Sequence, residues 1–427
     1  MFAQTFAILL GLVAISMPIA AVLLITGLVM GWLHSPMPLH VAGSEIFWKV
    51  ANEFTLTTIP LFVMLGELLL RAGVAERMYA ATALWLNRLP GGLLHANIAA
   101  STLFSATSGS SVATAATIGT VALPEIERRG YNERLFLGSL AAGGTLGILI
   151  PPSIHLILYG MMTQSSIPQL YSAALVPGLL LALIFGGIVI LTCLLRPSMG
   201  GQRIAATWSQ RLRSLPSILP IIGLFLVVVG SIYAGIATPT EAASLGLVFT
   251  LILAACYRRL SIQMLKEAFT GTMRTTAMIM LIVMVSYFLN FILSFLGIPQ
   301  ALTRLVGELG LSPTGTILII VVFFVALGCF MESLSMLVTM TPLVAPIVFS
   351  LGYDPVWFGV LLIVLLEVAL ITPPVGINLY VVQAIRSRGG IGDVMIGALP
   401  FVVAMFGLIG LLVAFPEIAL WLPSLLE

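Results

Sequence analysis

The sequence predicts an all-α polytopic membrane protein built as inverted repeats, with two re-entrant hairpins and two broken helices. Three observations carry that expectation. Of 427 residues, 60% are hydrophobic and 8% charged, about a third of the usual charged share, and no water-soluble core hides that much apolar surface. Two apolar runs carry paired prolines in their middles, "GILIPPSIHLILYG" and "ALITPPVGINLY". A proline donates nothing to the helical ladder and clashes with the preceding turn, so each pair breaks its helix. Finally, a shift of 222 residues superposes landmarks. Pro124 falls on Pro346, Gly130-Tyr131 on Gly352-Tyr353, Phe136 on Phe358, Pro151-Pro152 on Pro373-Pro374, and Ser111 on Ser333.

The elements follow in order. The run 6–30 has no basic stretch before it and is too long for a cleaved signal, so it reads as a retained first span. Further runs at 54–70, 135–162, 170–195, 217–236, 239–257, 275–296, 356–385 and 397–421 are each long enough to cross about 30 Å of hydrocarbon. Regions 93–124 and 314–349 are interrupted by "SATSGSS" and "GCFMES". Each arm falls short of a span, so both regions read as hairpins that enter and return. Arg196, Arg203, Arg211 and Arg213 mark 196–213 as cytoplasmic, as the basic loops near 257–274 and 384–390 are marked. The expected topology has nine crossings, the N-terminus inside and the C-terminus outside.

Residues 1–195 then form the first inverted repeat, with hairpin 93–124 and broken helix 135–162. Residues 196–236 supply a cytoplasmic loop and a linking span. Residues 237–427 form the second repeat, with hairpin 314–349 and broken helix 356–385. Amphipathic stretches at 76–90 and 298–312 precede the hairpins and should lie along the membrane. Inverted repeats with helices broken near the midplane are the pattern of secondary transporters. A break frees carbonyls that can ligate a hard cation such as Na⁺, and its half-helix N-termini favour an anion. The net charge of +2 gives no reason to expect a nucleic-acid partner.

The motifs bear a family resemblance over nearly the whole chain. "IPLFVMLGELLLRAG", "GGLLHANIAASTLFSATSGSSVATAATIGTVALPEIERRGY", "LIPPS", "YAGIATPTEAASLG", "LGCFMESLSMLVTMTPLVAPI" and "FGVLLIVLLEVALITPPVGINLYV" are similar to segments of one family. That family is the large membrane subunit (M subunit, DctM-like) of TRAP, the tripartite ATP-independent periplasmic transporters, in the ion-transporter superfamily. "SLPSILP" and "FPEIALWLP" fit it as well. One position departs: the family often has an acid after the first tip, where this chain has Thr114.

The resemblance implies a multi-pass protein of the bacterial cytoplasmic membrane and an elevator mechanism. Two hairpins and two broken helices would form a transport domain moving against a scaffold. It also implies Na⁺-coupled uptake of an organic acid such as a C4-dicarboxylate or sialic acid. A periplasmic substrate-binding protein (P subunit) would deliver the substrate, and a small four-helix membrane subunit (Q subunit) would brace the scaffold. The alternative is a stand-alone Na⁺- or H⁺-coupled dicarboxylate or citrate carrier of the same superfamily. An enzyme is not expected: the chain has no paired intramembrane Asp, His-Glu-x-x-His or Gly-x-Ser-x-Gly.

For a first Na⁺ site the expected ligands are Ser105 and Ser108, with backbone oxygens of Gly147, Ile150 and Pro152. The 222-residue shift suggests a second near Gly328, Phe330, Ala369, Thr372 and Val375. Substrate is expected between the tips, near Ser110, Ser111, Pro151, Glu332, Ser333, Pro374 and Asn378. Glu332, Glu367 and His155 are ionisable groups in apolar runs and candidates for ion tuning or proton binding, whereas Glu67 and Arg71, one turn apart, read as an ion pair. Trp32, Trp48, Trp85, Trp357 and Trp421 flank apolar runs as interface anchors. Cys193, Cys256 and Cys329 lack metal or disulfide spacing and read as small core residues.

Overall fold

The computed structural model describes residues 1–202, 206–308 and 310–426, with Phe2 as backbone alone. Arg203, one of the basic residues of the 196–213 loop, lies outside the described residues. Every regular element among the described residues is helical.

The first run is not one span. α1 (Phe2–Ala14) stops at a turn where Ser16 takes φ 60°, and α2 (Ile19–His34) restarts after Pro18. α3 (Ala42–Ala51) leads through a short 3-10 turn into α4 (Thr58–Arg71), and α5 (Val74–Leu86) follows across Gly73. α6 (Leu93–Ser108) and α7 (Ser111–Ala122) fold back on one another across Gly109-Ser110. At 1.5 Å per residue they run about 24 and 18 Å, short of a crossing. α8 (Pro124–Arg129) leads to α9 (Glu133–Thr145), which halts before the first proline pair; α10 (Ile154–Thr163) resumes beyond it.

α11 (Ile167–Leu195) is followed by α12 (Trp208–Ser214), α13 (Leu219–Phe225), a π turn at Leu226–Gly230, and α14 (Ser231–Tyr233). The line bends by 40° between Trp208–Ser217 and Leu219–Tyr233. α15 (Pro239–Cys256) opens with a capping box in which Thr238 and Glu241 satisfy each other's backbone N–H. α16 (Ile262–Phe295) starts thirteen residues before the expected 275 and runs 34 residues. It is therefore about 51 Å long, far more than a bilayer core.

α17 (Ile298–Glu308) has the strongly one-sided apolar face expected of an arm. α18 (Pro313–Gly328) and α19 (Ser333–Ser350) form the second fold-back, and α20 (Pro355–Ile371) and α21 (Ile377–Ile385) flank the second proline pair. α22 (Ile391–Ala414) and α23 (Glu417–Leu426) close the chain. Here too an expected single span, 397–421, is two helices, separated at Phe415-Pro416 because the proline supplies no N–H to continue the ladder.

Helix starts recur at the 222-residue offset. α7 and α19 begin at Ser111 and Ser333, α9 and α20 at Glu133 and Pro355, and the starts of α5/α17, α6/α18, α10/α21 and α11/α22 match within two residues. The caps recur as well. Asn132 accepts from Leu135 N–H at 3.1 Å, and its counterpart Asp354 accepts from Val356 and Trp357 N–H at 2.7 and 3.0 Å. Both proline pairs hold a cis peptide.

Two expectations about single residues are corrected. Trp357 is no interface anchor: it is 1% exposed, and its indole N–H donates to the Leu412 carbonyl at 2.9 Å. It sits in the first turn of α20, against α22, so an aromatic at a helix end became a packing residue. Cys193 is buried as expected, but Cys256 is exposed at the end of α15 and Cys329 is half-buried.

At one end of the molecule a buried guanidinium ties the second break to the first. The Arg386 side chain, 5% exposed, pairs with Glu133 at 2.7 Å and Asp393 at 3.2 Å, while Arg134 holds Asp393 from the other side at 2.9 Å. Arg388 reaches Glu127. Arg386→Ala leaves two carboxylates facing each other without their shared cation. It should cost about 1–3 kcal/mol, discounted from a fully buried pair because Glu133 and Asp393 keep contact with water. A thermal midpoint in detergent unchanged from wild type would show that this cluster does not fasten α21 to α9.

Candidate functional site

Each break follows from the prolines by simple bookkeeping of hydrogen bonds. In a helix the carbonyl of residue i accepts from N–H of i+4. Pro151 and Pro152 therefore deprive Gly147 and Ile148 of donors, and Pro373 and Pro374 deprive Ala369 and Leu370. The Ser153 hydroxyl repairs one loss, donating to the Ile148 carbonyl at 2.5 Å while its oxygen caps Leu156 N–H of α10. Among the described residues no hydrogen bond reaches the carbonyls of Gly147, Ile150 or Pro152. Those three oxygens are therefore available to another partner.

The first tip is pressed onto this break. Gly109 ends α6 at φ 60°, and a Cβ there would stand 2.8 Å from the Pro152 carbonyl oxygen. A Cβ on Gly147 would stand 2.7 Å from the Ser110 carbonyl carbon and oxygen. Only glycine permits this backbone-on-backbone approach. Ser105 is wholly buried and its hydroxyl has no partner, so it does not merely bond back to its own helix. Ser108 shares a hydrogen bond with Thr114 at 3.1 Å, and Thr114 donates to the Ser110 carbonyl at 2.8 Å. Thr114, at the position that departs from the family pattern, thus braces the tip.

The second tip is built differently. Gly328 lies directly against Ala369, where a Cβ would stand 2.5 Å from the Ala369 Cβ. The Cys329 thiol lies 3.5 Å from the Pro373 carbonyl. The Thr372 hydroxyl donates back to the Val368 carbonyl at 2.6 Å, and Phe330 is 61% exposed. Gly328 and Ala369 thus meet beside the break, Thr372 and Val375 flank its proline pair in the chain, and the Phe330 side chain is largely exposed. Glu332 caps α19: one carboxylate oxygen accepts from Leu334 N–H at 2.9 Å, the other from Ser335 N–H at 3.0 Å. Where the first tip has the neutral cap Ser110, accepting from Ala113 N–H at 3.3 Å, the second places a carboxylate.

Both tips face one cavity of about 430 Å³. Ser110, Ser111, Glu332 and Ser333 line it, together with Ser108, Gly109 and His155, whose Nε2 lies 3.2 Å from the Ser333 hydroxyl. The opposite wall comes from α4 and α16, with Val63, Gly66, Glu67, Leu70, Thr275, Met278 and Ile279. Reading the tips alone missed this wall. Gly66 brings this wall against the first tip, where a Cβ would stand 3.3 Å from the Ser108 carbonyl oxygen. Glu67 pairs with Arg71 as expected, and Arg71 also reaches Glu267 at 3.7 Å.

Three expected substrate residues stand off this wall. Pro151 is buried behind the first tip and Pro374 is exposed. Asn378 is fully buried, its amide donating to the Ala141 carbonyl at 3.3 Å, so it ties α21 to α9. Glu367 is also fully buried, with no hydrogen-bond partner on either oxygen. No cluster of His, Cys, Asp and Glu able to hold a metal ion occurs among the described residues.

Sequence and structure comparisons place these features among known proteins. Residues 6–418 match the family model of the tripartite ATP-independent periplasmic transporter, DctM component. The C4-dicarboxylate TRAP transporter large permease protein DctM of Rhodobacter capsulatus is 33% identical over 99% of this chain and 98% of its own length. The sialic acid TRAP transporter large permease protein SiaM of Vibrio cholerae is 32% identical over 97% of both. The ectoine counterpart TeaC of Halomonas elongata is 30% identical over 87% of this chain and 86% of its own. Among solved structures, the Alcanivorax borkumensis YdaH transporter, described as having an unusual topology, aligns with a TM-score of 0.60 at 16% identity. The alignment covers 96% of this chain and 98% of that one.

Proposed function

Because this chain belongs to the DctM family of tripartite ATP-independent periplasmic transporters, we propose that it is the Na⁺-coupled translocating subunit for an organic acid. It is a large permease, a membrane transport protein and not an enzyme. In our reading, a periplasmic binding protein delivers the substrate and a small membrane subunit braces the scaffold.

The observation that carries the ion coupling is the first break. Three carbonyls without donors, at Gly147, Ile150 and Pro152, lie at a break onto which the Gly109-Ser110 tip is pressed, and Ser105, one turn before that tip on α6, keeps an unpartnered hydroxyl; together with Ser108 these would make an oxygen set suited to a hard monovalent cation. The second site would use Gly328, Phe330, Ala369, Thr372 and Val375, the Phe330 contribution being its backbone alone. Two inverted repeats, 1–195 and 237–427 about the linker 196–236, would place the sites symmetrically. The basic end of the molecule would face the cytoplasm, with the N-terminus inside and the C-terminus outside.

Substrate would occupy the cavity at the tips. Glu332 already fills the N-terminal end of α19, so an anionic group would meet Ser110, Ser111 and the free N–H groups of α7 instead. Pro151, Pro374 and Asn378 would shape this site from behind. Each Na⁺ entering down 100 mV yields about 2.3 kcal/mol, so two ions cancel the electrical work of bringing in a dianion.

The test is uptake into proteoliposomes holding this chain, its small subunit and its binding protein, with Na⁺ and proton gradients imposed separately. Uptake should need both Na⁺ and the binding protein. Proton-driven uptake indifferent to Na⁺ would retire both ion sites and turn attention to Glu367 and His155. Uptake without the binding protein would point to the stand-alone carrier.

A further inference from the structure

Two more cavities lie along the interface that holds the tip cavity. One, of about 770 Å³, lies among Asn290, Ser294, Gln300, Thr303, Arg304 and Thr341. The other, of about 260 Å³, lies among Lys49, Glu53, Tyr287, Asn290 and Ser294. Asn290 and Ser294 line both, so the two form one cleft. α16 reaches the tip cavity at Thr275 and Ile279 and this cleft at Asn290 and Ser294, about 16–28 Å further along its axis. α10 and α19 likewise serve both, through His155 and Leu334 at the tips and Thr163 and Thr341 here. Between the two levels the Ser286 hydroxyl of α16 donates to the Val338 carbonyl of α19 at 2.6 Å, with both residues buried. The cleft and the tip cavity therefore lie at two levels of one interface among α10, α16 and α19.

The charges are distributed unevenly between the two ends of the molecule. Arg203 aside, the Lys and Arg other than Lys49 and Arg304 lie on the helix ends and loops gathered at the opposite, basic end, except Arg274, which lies within α16 beside Thr275 of the tip cavity. Ties such as Arg71 to Glu267, Arg386 to Glu133 and Arg211 to the Leu84 carbonyl hold that end together. Lys49 and Arg304 are thus the two described cations of the far end, and both line the cleft. Neither makes an ion pair among the described residues. Glu53 is the one acid on the walls, and Glu45, Glu241, Glu308, Asp354 and Glu417 lie elsewhere at that end. With two unpaired cations against the single acid Glu53, the cleft walls carry a net positive charge that low-dielectric surroundings focus on an anion.

We propose that this cleft is an anion-capture subsite, in which Lys49 and Arg304, with the Asn290 amide, hold the substrate carboxylate before it reaches the tips. It rests on the reading of the protein as an importer of organic acids, and it adds a first binding station to that reading. A guanidinium presents a planar fork to a carboxylate and the ammonium adds a point charge, so the preferred ligand is an anion with one or more carboxylates.

The test uses Asn290→Cys in the full complex, with Cys193, Cys256 and Cys329 replaced by Ser, and compares labelling by anionic (sulfonatoethyl) and cationic (trimethylammonioethyl) methanethiosulfonates. The ratio of anionic to cationic rates should fall at least tenfold when Lys49→Gln and Arg304→Gln are added, and Arg304→Lys should restore part of it. An unchanged ratio overturns the subsite. Binding-protein docking lost while the ratio holds also overturns it, by making the cleft a protein contact. A ratio that falls as expected, in a complex that imports no carboxylate, leaves the subsite standing and removes the importer reading.

Discussion

Gly147→Val should reduce uptake to below about 1% of wild type while the chain still inserts and folds. A Cβ at this position would stand 2.7 Å from two backbone atoms of Ser110 and 2.8 Å from the Ser111 nitrogen. Backbone cannot swing aside as a flexible side chain can, so the tip must lift from the break or the break must shift. Either movement separates the tip from the break and would pull apart the proposed ion ligands Ser105 and Ser108 and the carbonyls of Gly147, Ile150 and Pro152. Overpacking of this kind costs about 1–3 kcal/mol in a tight core, enough to displace the tip without unfolding a protein of this size. Gly147→Ala should fall between wild type and valine. Gly187→Val is the control: Gly187 is exposed on α11 with nothing near its Cβ position, and should transport normally. Uptake and thermal midpoint measured on the same preparations separate a displaced tip from a misfolded chain. Wild-type uptake in Gly147→Val would mean that contact between tip and break is not needed for transport.

The parts of this architecture legible in the sequence are those written by prolines, glycines and repetition. Pro151-Pro152 and Pro373-Pro374 dictate breaks because missing N–H groups leave the same carbonyls orphaned in any fold. The 222-residue offset carried helix starts and even cap positions, with Asn132 matched by Asp354 and Ser110 by Glu332. The turns within 6–30 and 397–421 were hidden because apolar composition counts length without seeing direction. Ser16 at φ 60° turns the chain without any change of hydropathy. The wall from α4 and α16 was hidden for a different reason: it is made by contacts between segments some 200 residues apart. Trp357 likewise became a core residue through α22, which a local window does not contain.

The two tips also differ more than their shared offset suggests. Ser110 caps α7 through one weak acceptor, whereas Glu332 caps α19 through both carboxylate oxygens and also receives the hydroxyls of Ser333 and Ser335 at 3.0 and 3.2 Å. The second tip therefore supplies its own negative charge to the cavity, which leaves the first tip as the electrostatically open one. The same asymmetry would govern the two proposed ion sites. On the first hairpin the Ser105 hydroxyl is unpartnered, while at the second break Thr372 already donates to its own helix and would have to turn to coordinate an ion.

That contrast leads to Ser105→Ala, which should raise the Na⁺ concentration for half-maximal uptake by about 10–100-fold. One oxygen interacting with a full charge contributes about 1.5–3 kcal/mol, and each 1.4 kcal/mol is a tenfold change in affinity. Ser101 provides the internal comparison. It lies one helical turn earlier on α6, is equally buried and equally unpartnered, and packs against Gly143 rather than against the break. If buried hydroxyls on α6 matter only for packing, Ser101→Ala and Ser105→Ala should behave alike. If Ser105 coordinates the ion, only its variant shifts the Na⁺ dependence, and maximal uptake at high Na⁺ recovers because the remaining oxygens still close the site. Thr372→Ala should produce a smaller shift, since the native hydroxyl first gives up its bond to Val368. Equal Na⁺ curves for Ser105→Ala and wild type would remove the hydroxyl from the site and leave its burial without a partner unexplained.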